Sequence, residues 1–268
     1  MVRIGERTCK TLMGRSGIGS VEYAINPYLG CQHGCVYCFA RFMRRMGHVG
    51  EEWGSFVDVK VNALERLEKE LPRRRKGIVL LSSVTDPYQP LEGRYELTRG
   101  CLKLLLEHQY PVTILTKSDL VLRDLDLLGE FDSCEVGFTI TAYDEGVRRV
   151  FEPCSSPIRA RLDALARLND EGVETYAFLG PMLPYLSEEG LDDLLDELAA
   201  SVNRVMVDRL NIKSGNSATI RRALSVNYPD VQPLFELALD KESSYYKSLK
   251  NRILGMCRRR SVPCDVIY

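Results

Sequence analysis

The sequence of 268 residues lacks several features that would assign it to a specialised class of protein. It has no run of about eighteen apolar residues, which excludes an ordinary transmembrane helix. Its first residues, MVRIGE, lack the apolar core of a secretory signal peptide. The formal net charge is only -1, so the chain as a whole has no electrostatic attraction for nucleic acid. We therefore expect a cytoplasmic protein without a membrane segment.

Cysteine is the residue type whose use is unusual. The chain contains 9 cysteines, an odd number, whereas small secreted domains usually pair their cysteines in disulfides. Three of them, Cys31, Cys35 and Cys38, fall within a short segment. This clustering is typical of a metal site in a reducing compartment rather than of a disulfide framework.

Short apolar runs alternate along the chain with amphipathic helical patterns. The runs have the character of buried parallel strands, and they start at Val21, Ile78, Val112, Val136, Val173 and Val205. Leucines recur at helical spacing between them, and Ser156 and Ser187 stand where each could cap a helix. This alternation indicates βαβ units and a mainly parallel α/β sheet. About six units are too few for a closed eight-fold barrel and predict an open, partial one.

The pattern changes after Asn211. Residues 216–226 and 234–256 have helical periodicity, and residues 262–267 could form a last strand. We therefore expect an N-terminal segment (1–20), a core barrel (21–211) and a helical C-terminal extension (212–268) that packs on the core.

The clustered cysteines follow the first predicted strand and lead into the first predicted helix. Three thiolates in one loop can hold three irons of a [4Fe–4S] cluster, because thiolate is the soft ligand that such clusters need. No fourth protein ligand is evident nearby, so one iron would stay free to bind a small molecule. The alternative is zinc, for which His33 or His48 would have to supply a fourth ligand.

The spacing Cys-x3-Cys-x2-Cys, with Tyr37 before the third cysteine, resembles the signature of the radical S-adenosylmethionine (SAM) superfamily. The resemblance implies a partial (β/α)6 barrel, a [4Fe–4S] cluster on Cys31, Cys35 and Cys38, and SAM bound to the open iron through its amino and carboxylate groups. It also implies an electron donor, such as a reduced flavodoxin or ferredoxin. Reductive cleavage of SAM would then give a 5′-deoxyadenosyl radical that abstracts a substrate hydrogen.

Further stretches resemble one branch of that superfamily, the spore photoproduct lyase-like proteins. Together they extend from about Tyr23 to Pro184, and they are residues 26–41 and 82–92, Leu97-Thr98-Arg99, Thr116-Lys117-Ser118, Leu122-Arg123-Asp124, Thr139-Ile140-Thr141, Glu152-Pro153 and Arg161-Leu162. By analogy, the first hypothesis is a lyase-like or modifying enzyme that acts on a nucleic acid. The alternatives are modification of a small molecule or peptide, and a non-catalytic metal-binding scaffold.

Several of these residues also have a physical reason to lie at a binding site. Ser83, Thr85 and Asp86 follow a buried strand, at the sheet end where α/β folds bind ligands. Asp86 could equally be a turn former before the proline that follows it. Lys117 ends the next strand, and its ammonium could meet either solvent or, as the resemblance implies, the carboxylate of SAM.

The pair Thr139 and Thr141 alternates with Ile140, so both threonines point to the side opposite that isoleucine. On the inner face of the barrel their hydroxyls could bind the ribose of SAM. The alternative is that they are β-branched residues that only fill the strand.

Two positions depart from the lyase. The lyase returns a hydrogen atom from a cysteine near the end of its second strand, and the matching position here is Ser83, whose O–H is a poorer donor than a thiol. The lyase has tyrosines on both sides of the third cluster cysteine, whereas here Tyr37 precedes it and Phe39 follows it. We predict catalytic roles for Tyr37 and Ser83, but these departures argue against thymine-dimer repair. Cys154 or Cys101 could replace the missing thiol.

The C-terminal extension offers residues that could contact a nucleic acid. Arginines could bind phosphates and tyrosines could stack on bases; the candidates are Arg221, Arg222, Arg258–Arg260, Tyr245 and Tyr246. They could also be ordinary surface residues of a helix. Cys257 and Cys264 are close in sequence but too few for a second cluster.

Overall fold

One sheet, in which strands that follow each other along the chain lie side by side, organises the molecule. The computed structural model describes residues 2–213 and 215–268. Its strands are β1 (Arg3–Arg7), β2 (Met13–Arg15), β3 (Tyr23–Ile25), β4 (Tyr28–Leu29), β5 (Phe56–Lys60), β6 (Val79–Leu81), β7 (Val112–Thr116), β8 (Cys134–Thr139), β9 (Glu174–Met182), β10 (Arg204–Arg209) and β11 (Cys264–Val266).

Helices connect most of these strands. The α-helices are α1 (Ala63–Glu70), α2 (Glu92–Tyr95), α3 (Leu97–Glu107), α4 (Leu125–Leu128), α5 (Glu145–Phe151), α6 (Ile158–Asp170), α7 (Leu191–Ala199), α8 (Asn216–Asn227), α9 (Gln232–Ala238) and α10 (Tyr245–Arg259). Segments of 3₁₀ helix span Phe39–Met46, Leu71–Arg73 and Asp119–Asp124. No helix in the described ranges is long and apolar enough to cross a membrane.

The main sheet has the strand order β11-β10-β9-β8-β7-β6-β3-β2. All neighbouring strands from β3 to β11 are parallel, and β2 adds an antiparallel strand at one edge. In the described residues the two edge strands do not pair with each other, so the sheet is an open arc. The six predicted core strands and the last strand are all present. The predicted α/β partial barrel is confirmed.

The connecting helices turn an apolar face to the sheet. In α6, Ile158, Leu162 and Leu165 are buried on one face, and Gly172 just beyond the helix has φ +80°, the left-handed conformation that commonly ends a helix. In α7 the leucines that predicted the helix are likewise buried.

The predicted caps of these two helices are wrong, because tertiary partners hold both serine hydroxyls. Ser156 Oγ donates to Asp119 Oδ1 at 2.6 Å, and the residue that caps α6 is Pro157. Ser187 Oγ donates to the carbonyl oxygen of Thr141 at 2.5 Å, and α7 begins only at Leu191.

A small second sheet, β1-β5-β4, was not predicted. It lies beside the cysteine loop, and its backbone comes close to Gly30, which has φ +87°. A Cβ at this position would lie 2.4 Å from the carbonyl oxygen of Phe56. Only glycine can therefore occupy the position before Cys31 without moving this sheet.

The C-terminal helices α8, α9 and α10 contribute buried residues to the apolar clusters of the molecule. Ile220, Leu224 and Phe235 are buried in one apolar cluster with Cys35 and Tyr37 of the cysteine loop. The extension thus covers the loop that carries the clustered cysteines. The division of the chain at residues 20 and 211 stays a prediction.

Candidate active site

The cysteine loop lies between β4 and the 3₁₀ helix Phe39–Met46. Cys31 and Cys35 are buried, and Cys38 is partly buried. Gln89 is fully buried and holds the loop at two points, since its Oε1 accepts from Gln32 N at 2.9 Å and its Nε2 donates to Gly30 O at 3.3 Å. The loop is therefore fixed by its neighbours as well as by its own turns.

Burial and neighbouring charges both act on the thiols of the cysteine loop. Burial raises the pKa of the Cys31 thiol well above its ordinary value, and the nearby charges of Asp86, Cys35 and Cys38 raise it further. The pKa of Cys35 is likewise raised by burial, to about 12, although Lys117 opposes the shift. Metal binding would have to displace these protons, as it does at other thiolate sites.

The donor set fits an iron–sulfur cluster better than zinc. In residues 2–213 and 215–268, no group of three or more His, Cys, Asp or Glu side chains is arranged to hold a single metal ion. His33 Nδ1 lies 3.3 Å from Asp86 Oδ2, and His48 Nε2 lies 3.0 Å from Asp58 Oδ2. Both histidines that zinc would need are thus engaged with carboxylates, whereas a cluster needs only the three thiolates, spread over separate irons.

Asp86 connects the end of β6 to the end of β7. Its Oδ1 accepts from Tyr88 N at 2.9 Å and from Thr116 Oγ1 at 2.7 Å, and its Oδ2 accepts from Lys117 N at 2.8 Å. Burial opposes the charge, but His33, Lys117 and the hydrogen bonds outweigh it and hold the pKa of Asp86 at about 2. Asp86 is both a turn former and a tie between the cysteine loop and the strand ends.

Lys117 lies at the end of β7 with its ammonium beside the cysteine loop. Its Nζ lies 5.9 Å from the centroid of the Tyr37 ring. Burial opposes its charge, yet the surrounding Cys35, Glu152 and Asp86 groups raise the pKa of Lys117 above its ordinary value. Lys117 is therefore a charged group that faces the same region as the thiols, where it could meet a carboxylate.

The loop after β6 carries hydroxyl groups without protein partners. Ser82 Oγ and Thr85 Oγ1 are buried and make no hydrogen bond to the described residues. Such orphaned buried groups are rare, and a bound molecule is one way to satisfy them. Ser82 also has φ +64°, a strained conformation for a non-glycine residue. Ser83 Oγ accepts from Asn26 Nδ2 at 3.2 Å. This loop fits a polar ligand such as SAM.

Tyr37 belongs to a buried hydrogen-bond network around Glu152. The Tyr37 hydroxyl donates to Glu152 Oε1 and lies 3.1 Å from Thr141 Oγ1, which itself donates to Glu152 Oε1 at 2.8 Å. Arg161 Nη2 lies 2.5 Å from Glu152 Oε2, and Arg161 Nη1 donates to the carbonyl oxygen of Thr139 at 2.8 Å. The network fixes Tyr37, Thr139 and Thr141 relative to each other.

The charge of Glu152 is maintained by these partners. Burial opposes it, but Arg161 and Lys117 together with the hydrogen bonds from Tyr37 and Thr141 hold the pKa of Glu152 at about 2. Neither Glu152 nor Arg161 was predicted to have a role of its own, although both lie in the lyase-like stretches. Since the hydroxyls of Tyr37 and Thr141 are engaged with this carboxylate, both residues are well suited to position the site.

Other residues of the lyase-like stretches form a second ion network around Glu92. This carboxylate is fully buried, accepts from Thr98 N at 3.0 Å at the start of α3, and pairs with Arg123 at 2.9 Å. Arg123 and Arg99 both contact Asp124 at 2.8 Å. These residues secure the turns around α2 and α3.

The C-terminal extension supplies two contacts to the cysteine loop that the sequence did not reveal. Asn216 is fully buried, and its Nδ2 donates to the carbonyl oxygen of Tyr37 at 2.8 Å. Thr219 Oγ1 donates to the carbonyl oxygen of Val36 at 3.0 Å. The extension therefore holds the backbone immediately before Cys38.

Several residues of the extension that were predicted to contact a nucleic acid bind other parts of the protein. Tyr246 OH donates to Met182 O at 2.8 Å, and its ring packs on Tyr245 with centroids 5.2 Å apart. Arg260 Nε lies 2.6 Å from Asp196 Oδ1. The polar groups of Tyr245, Tyr246 and Arg260 thus have protein partners, and a contact of these residues with a nucleic acid stays a prediction.

The two candidate replacement thiols differ in accessibility. Cys101 is fully buried in α3, so it cannot reach a substrate. Cys154 is exposed and follows Glu152 closely, and its backbone N–H donates to the carbonyl oxygen of His33 in the cysteine loop at 3.4 Å.

Comparison with known proteins decides the family. The sequence profile of the Radical SAM superfamily matches residues 25–198. This chain belongs to the radical SAM superfamily. It is similar to an uncharacterised protein of Methanocaldococcus jannaschii, with 36% identity over 246 residues that cover 90% of this chain and 92% of the relative. It is also similar to a radical SAM Nα-GlyT isomerase of Pseudomonas phage M6, with 23% identity over 184 residues that cover 68% of this chain and 38% of the isomerase.

Solved structures give the same fold. A spore photoproduct lyase mutant with bound AdoMet and a dinucleoside spore photoproduct superposes with a TM-score of 0.70 and 18% identity, covering 99% of this chain and 82% of the lyase chain. The predicted superfamily is confirmed, as is the lyase-like fold. The protein is a radical SAM enzyme whose cofactors are a [4Fe–4S] cluster and SAM, which sets aside the non-catalytic scaffold.

Proposed function

We propose that this enzyme abstracts a hydrogen atom from a nucleic acid, and that it works in the cytoplasm with a reduced flavodoxin or ferredoxin as its electron donor. When bound, the cluster and SAM supply an adenosyl radical that takes the hydrogen. The protein must then position SAM, admit the substrate and keep water away from the reacting atoms.

Cys31, Cys35 and Cys38 would hold the cluster. The SAM site would be formed by Lys117, by the polar loop of Ser83 and Thr85, and by the strand end that carries Thr139 and Thr141. In this proposal Lys117 binds the carboxylate of SAM, and the orphaned hydroxyl of Thr85 finds a partner in the cofactor. Asp86 and Glu152 would only position other residues of the site, since protein groups already bind their carboxylate oxygens.

The proposal of a nucleic-acid substrate rests on the side chains at the carboxyl ends of β9 and β10, which we call the rim. Tyr185 follows β9, is 40% exposed and has φ +64°. Arg209 ends β10, Lys213 follows shortly after, and both are exposed. Parallel strands end at one edge, where α/β enzymes bind ligands. An exposed aromatic ring and two exposed cations that follow the ends of neighbouring strands are suited to a base and its phosphates.

The structural similarity to the lyase supports the same substrate class. That lyase was solved with a dinucleoside photoproduct, in a fold that covers nearly all of this chain. The reaction itself need not be the same, because Ser83 stands at the position of the hydrogen-returning cysteine. Other modifications of a base or sugar would begin with the same hydrogen abstraction and need not take a hydrogen atom back from a thiol.

The test is deuterium transfer under anaerobic conditions. The reconstituted enzyme is incubated with SAM, dithionite and deuterated oligonucleotides, and 5′-deoxyadenosine is analysed by mass spectrometry. We expect deuterium in 5′-deoxyadenosine with an oligonucleotide. Deuterium that comes only from labelled peptides or small metabolites would contradict the proposal and favour the alternative substrate class.

The rim can be tested separately by a salt titration of oligonucleotide binding. Nucleic-acid affinity should fall steeply with salt, and replacing Arg209 and Lys213 by Ala should reduce the slope of log K against log salt by up to about two. The matched control replaces Arg75 and Lys76, which are exposed and precede β6 at the opposite end of the sheet. Equal effects of the two double variants would argue against this rim.

A further inference from the structure

The 3₁₀ helix that begins directly after Cys38 exposes its large apolar side chains. Because a 3₁₀ helix has three residues per turn, side chains three positions apart share a face. Ala40 and Met43 are only 1% and 4% exposed, and they pack in one cluster with Trp53. Phe39 and Phe42 lie on a different face and are 47% and 36% exposed. The smaller side chains thus point inward, and both phenylalanines point outward.

The exposed apolar area continues beyond the phenylalanines. Met46 is 51% exposed and Val49 is 83% exposed. We call Phe39, Phe42, Arg45, Met46 and Val49 the outer face of this segment. Four exposed apolar side chains within residues 39–49 indicate an interaction site, whereas isolated exposed apolar residues need no explanation.

The charge of this segment has one sign. Residues 39–50 contain three arginines and no acidic residue. Arg41 is turned toward the cysteine loop, where its Nη2 donates to Val36 O at 2.9 Å. Arg44 and Arg45 lie in the last turn of the helix, and Arg45 is exposed. A partner for this face should therefore be acidic around an apolar centre.

The composition of the outer face favours a protein partner. Aromatic residues, methionine and arginine are the types enriched at protein–protein interfaces. Interfaces with nucleic acid are more polar and much more positively charged than this mainly apolar face. The face also starts one peptide bond from Cys38, so a protein bound here would lie next to the proposed cluster.

We propose that the outer face is the docking site of an acidic electron-carrier protein that reduces the cluster. The inference rests on the proposed placement of the cluster on Cys31, Cys35 and Cys38. In the transfer step the reduced carrier loses one electron and the oxidised cluster gains it, and no bond forms or breaks between the two proteins. Since one electron is needed for each SAM cleavage, docking would control how often the radical is made.

The test compares two reductants that differ in whether they need a docking site. The rate of 5′-deoxyadenosine formation is measured with reduced flavodoxin and with dithionite, for Phe42→Glu, Arg45→Glu and the double variant. The matched controls are Leu237→Glu, at a residue that is 65% exposed in α9, and Lys76→Glu, which makes a similar charge reversal at the far end of the sheet. Iron content and thermal unfolding are measured for every variant.

We expect the flavodoxin-dependent rate of the double variant to fall at least tenfold, with the dithionite-dependent rate, the iron content and both controls unchanged. Raising the salt concentration should also lower the wild-type rate with flavodoxin more than the rate with dithionite. Equal losses with both reductants, or no loss with flavodoxin, would overturn the docking site. So would a loss of oligonucleotide binding with a normal flavodoxin rate, which would assign the face to the substrate.

The experiment gives a different result if the cluster itself has been placed wrongly. If the wild-type enzyme formed no 5′-deoxyadenosine with dithionite, the placement of the cluster would be wrong, and this inference would fall with it. A wild type that is active with dithionite, with variants that are normal with both reductants, would remove the docking site alone.

Discussion

Glu152 and Arg161 form a buried ion pair at the end of the barrel strands, with 2.5 Å between Oε2 and Nη2. Their side chains are 1% and 0% exposed. The pair links the helix α6 that carries Arg161 to Tyr37 in the cysteine loop and to the strand end at Thr141. We therefore regard it as the main positioning element of the site.

Replacing Glu152 by Gln should destabilise the protein strongly. Removing one charge of a buried pair leaves the other uncompensated, which typically costs about 3–5 kcal/mol. We expect a loss of this size in the free energy of unfolding, measured by urea denaturation of the cluster-free protein. Glu65→Gln is the control, because its exposed pair with Lys69 should contribute below about 1 kcal/mol. Similar losses in both variants would contradict this role of Glu152.

The charge on the Glu152 carboxylate should make the free energy of unfolding depend on pH. The pKa of Glu152 is about 2 in the folded protein, against about 4.3 for an unfolded chain. A depressed folded pKa means that the stabilisation is complete above the unfolded pKa and is lost as the pH falls through the folded pKa. The difference in unfolding free energy between wild type and Glu152→Gln should thus shrink between about pH 5 and pH 2. A difference that stays constant over this range would show that Glu152 is not charged in the folded state.

The sequence was most informative where structure is local. Most residues of the core strands are buried, so each strand appears as a short apolar run, and all six were predicted. β1, by contrast, is mostly exposed and carries three charged residues in five, so it has no such signal. The leucines at helical spacing between Leu120 and Leu128, for example, lie in a 3₁₀ segment followed by the short helix α4. Periodicity shows that such a segment is helical, but not its exact hydrogen bonding.

In the candidate site, too, the sequence was informative for local features and not for distant contacts. The cysteines and the polar strand ends could be named because their spacing is local in sequence. The partner of Tyr37 could not be found in this way. Asn216, which binds its carbonyl oxygen, is 179 positions away. Glu152 follows α5 and Arg161 lies in α6, so the two meet only because these helices come together. Contacts of this kind depend on packing, which one sequence does not reveal.

The cluster assignment predicts different effects for two cysteines. Cys35→Ala should lose the cluster and all SAM cleavage, because two thiolates cannot hold the cube. Cys154→Ala is the matched control, since Cys154 is exposed and close to the loop but is not one of the proposed ligands. Iron and acid-labile sulfide are measured after anaerobic reconstitution, together with 5′-deoxyadenosine formation. Loss of iron in Cys154→Ala would mean that it supplies a fourth ligand, which would remove the open iron.

Lys117 provides the sharpest test of the SAM site. Its pKa is raised, so the ammonium stays charged throughout the neutral pH range of an assay. We expect Lys117→Ala to keep its iron, because Asp86 retains His33 and Glu152 retains Arg161 as partners. A hydrogen bond between charged groups contributes about 1.5–3 kcal/mol, so the Kd for SAM should rise by about tenfold or more.

Equilibrium dialysis with labelled SAM on reconstituted enzyme measures this effect without requiring turnover. The matched control is Lys103→Ala, an exposed lysine of α3, which should leave the Kd for SAM unchanged. Lys117→Arg should recover part of the affinity, since it retains the charge but changes the shape of the donor. An unchanged Kd in Lys117→Ala with a normal iron content would show that the carboxylate of SAM binds elsewhere, and that Lys117 serves only the carboxylates around it.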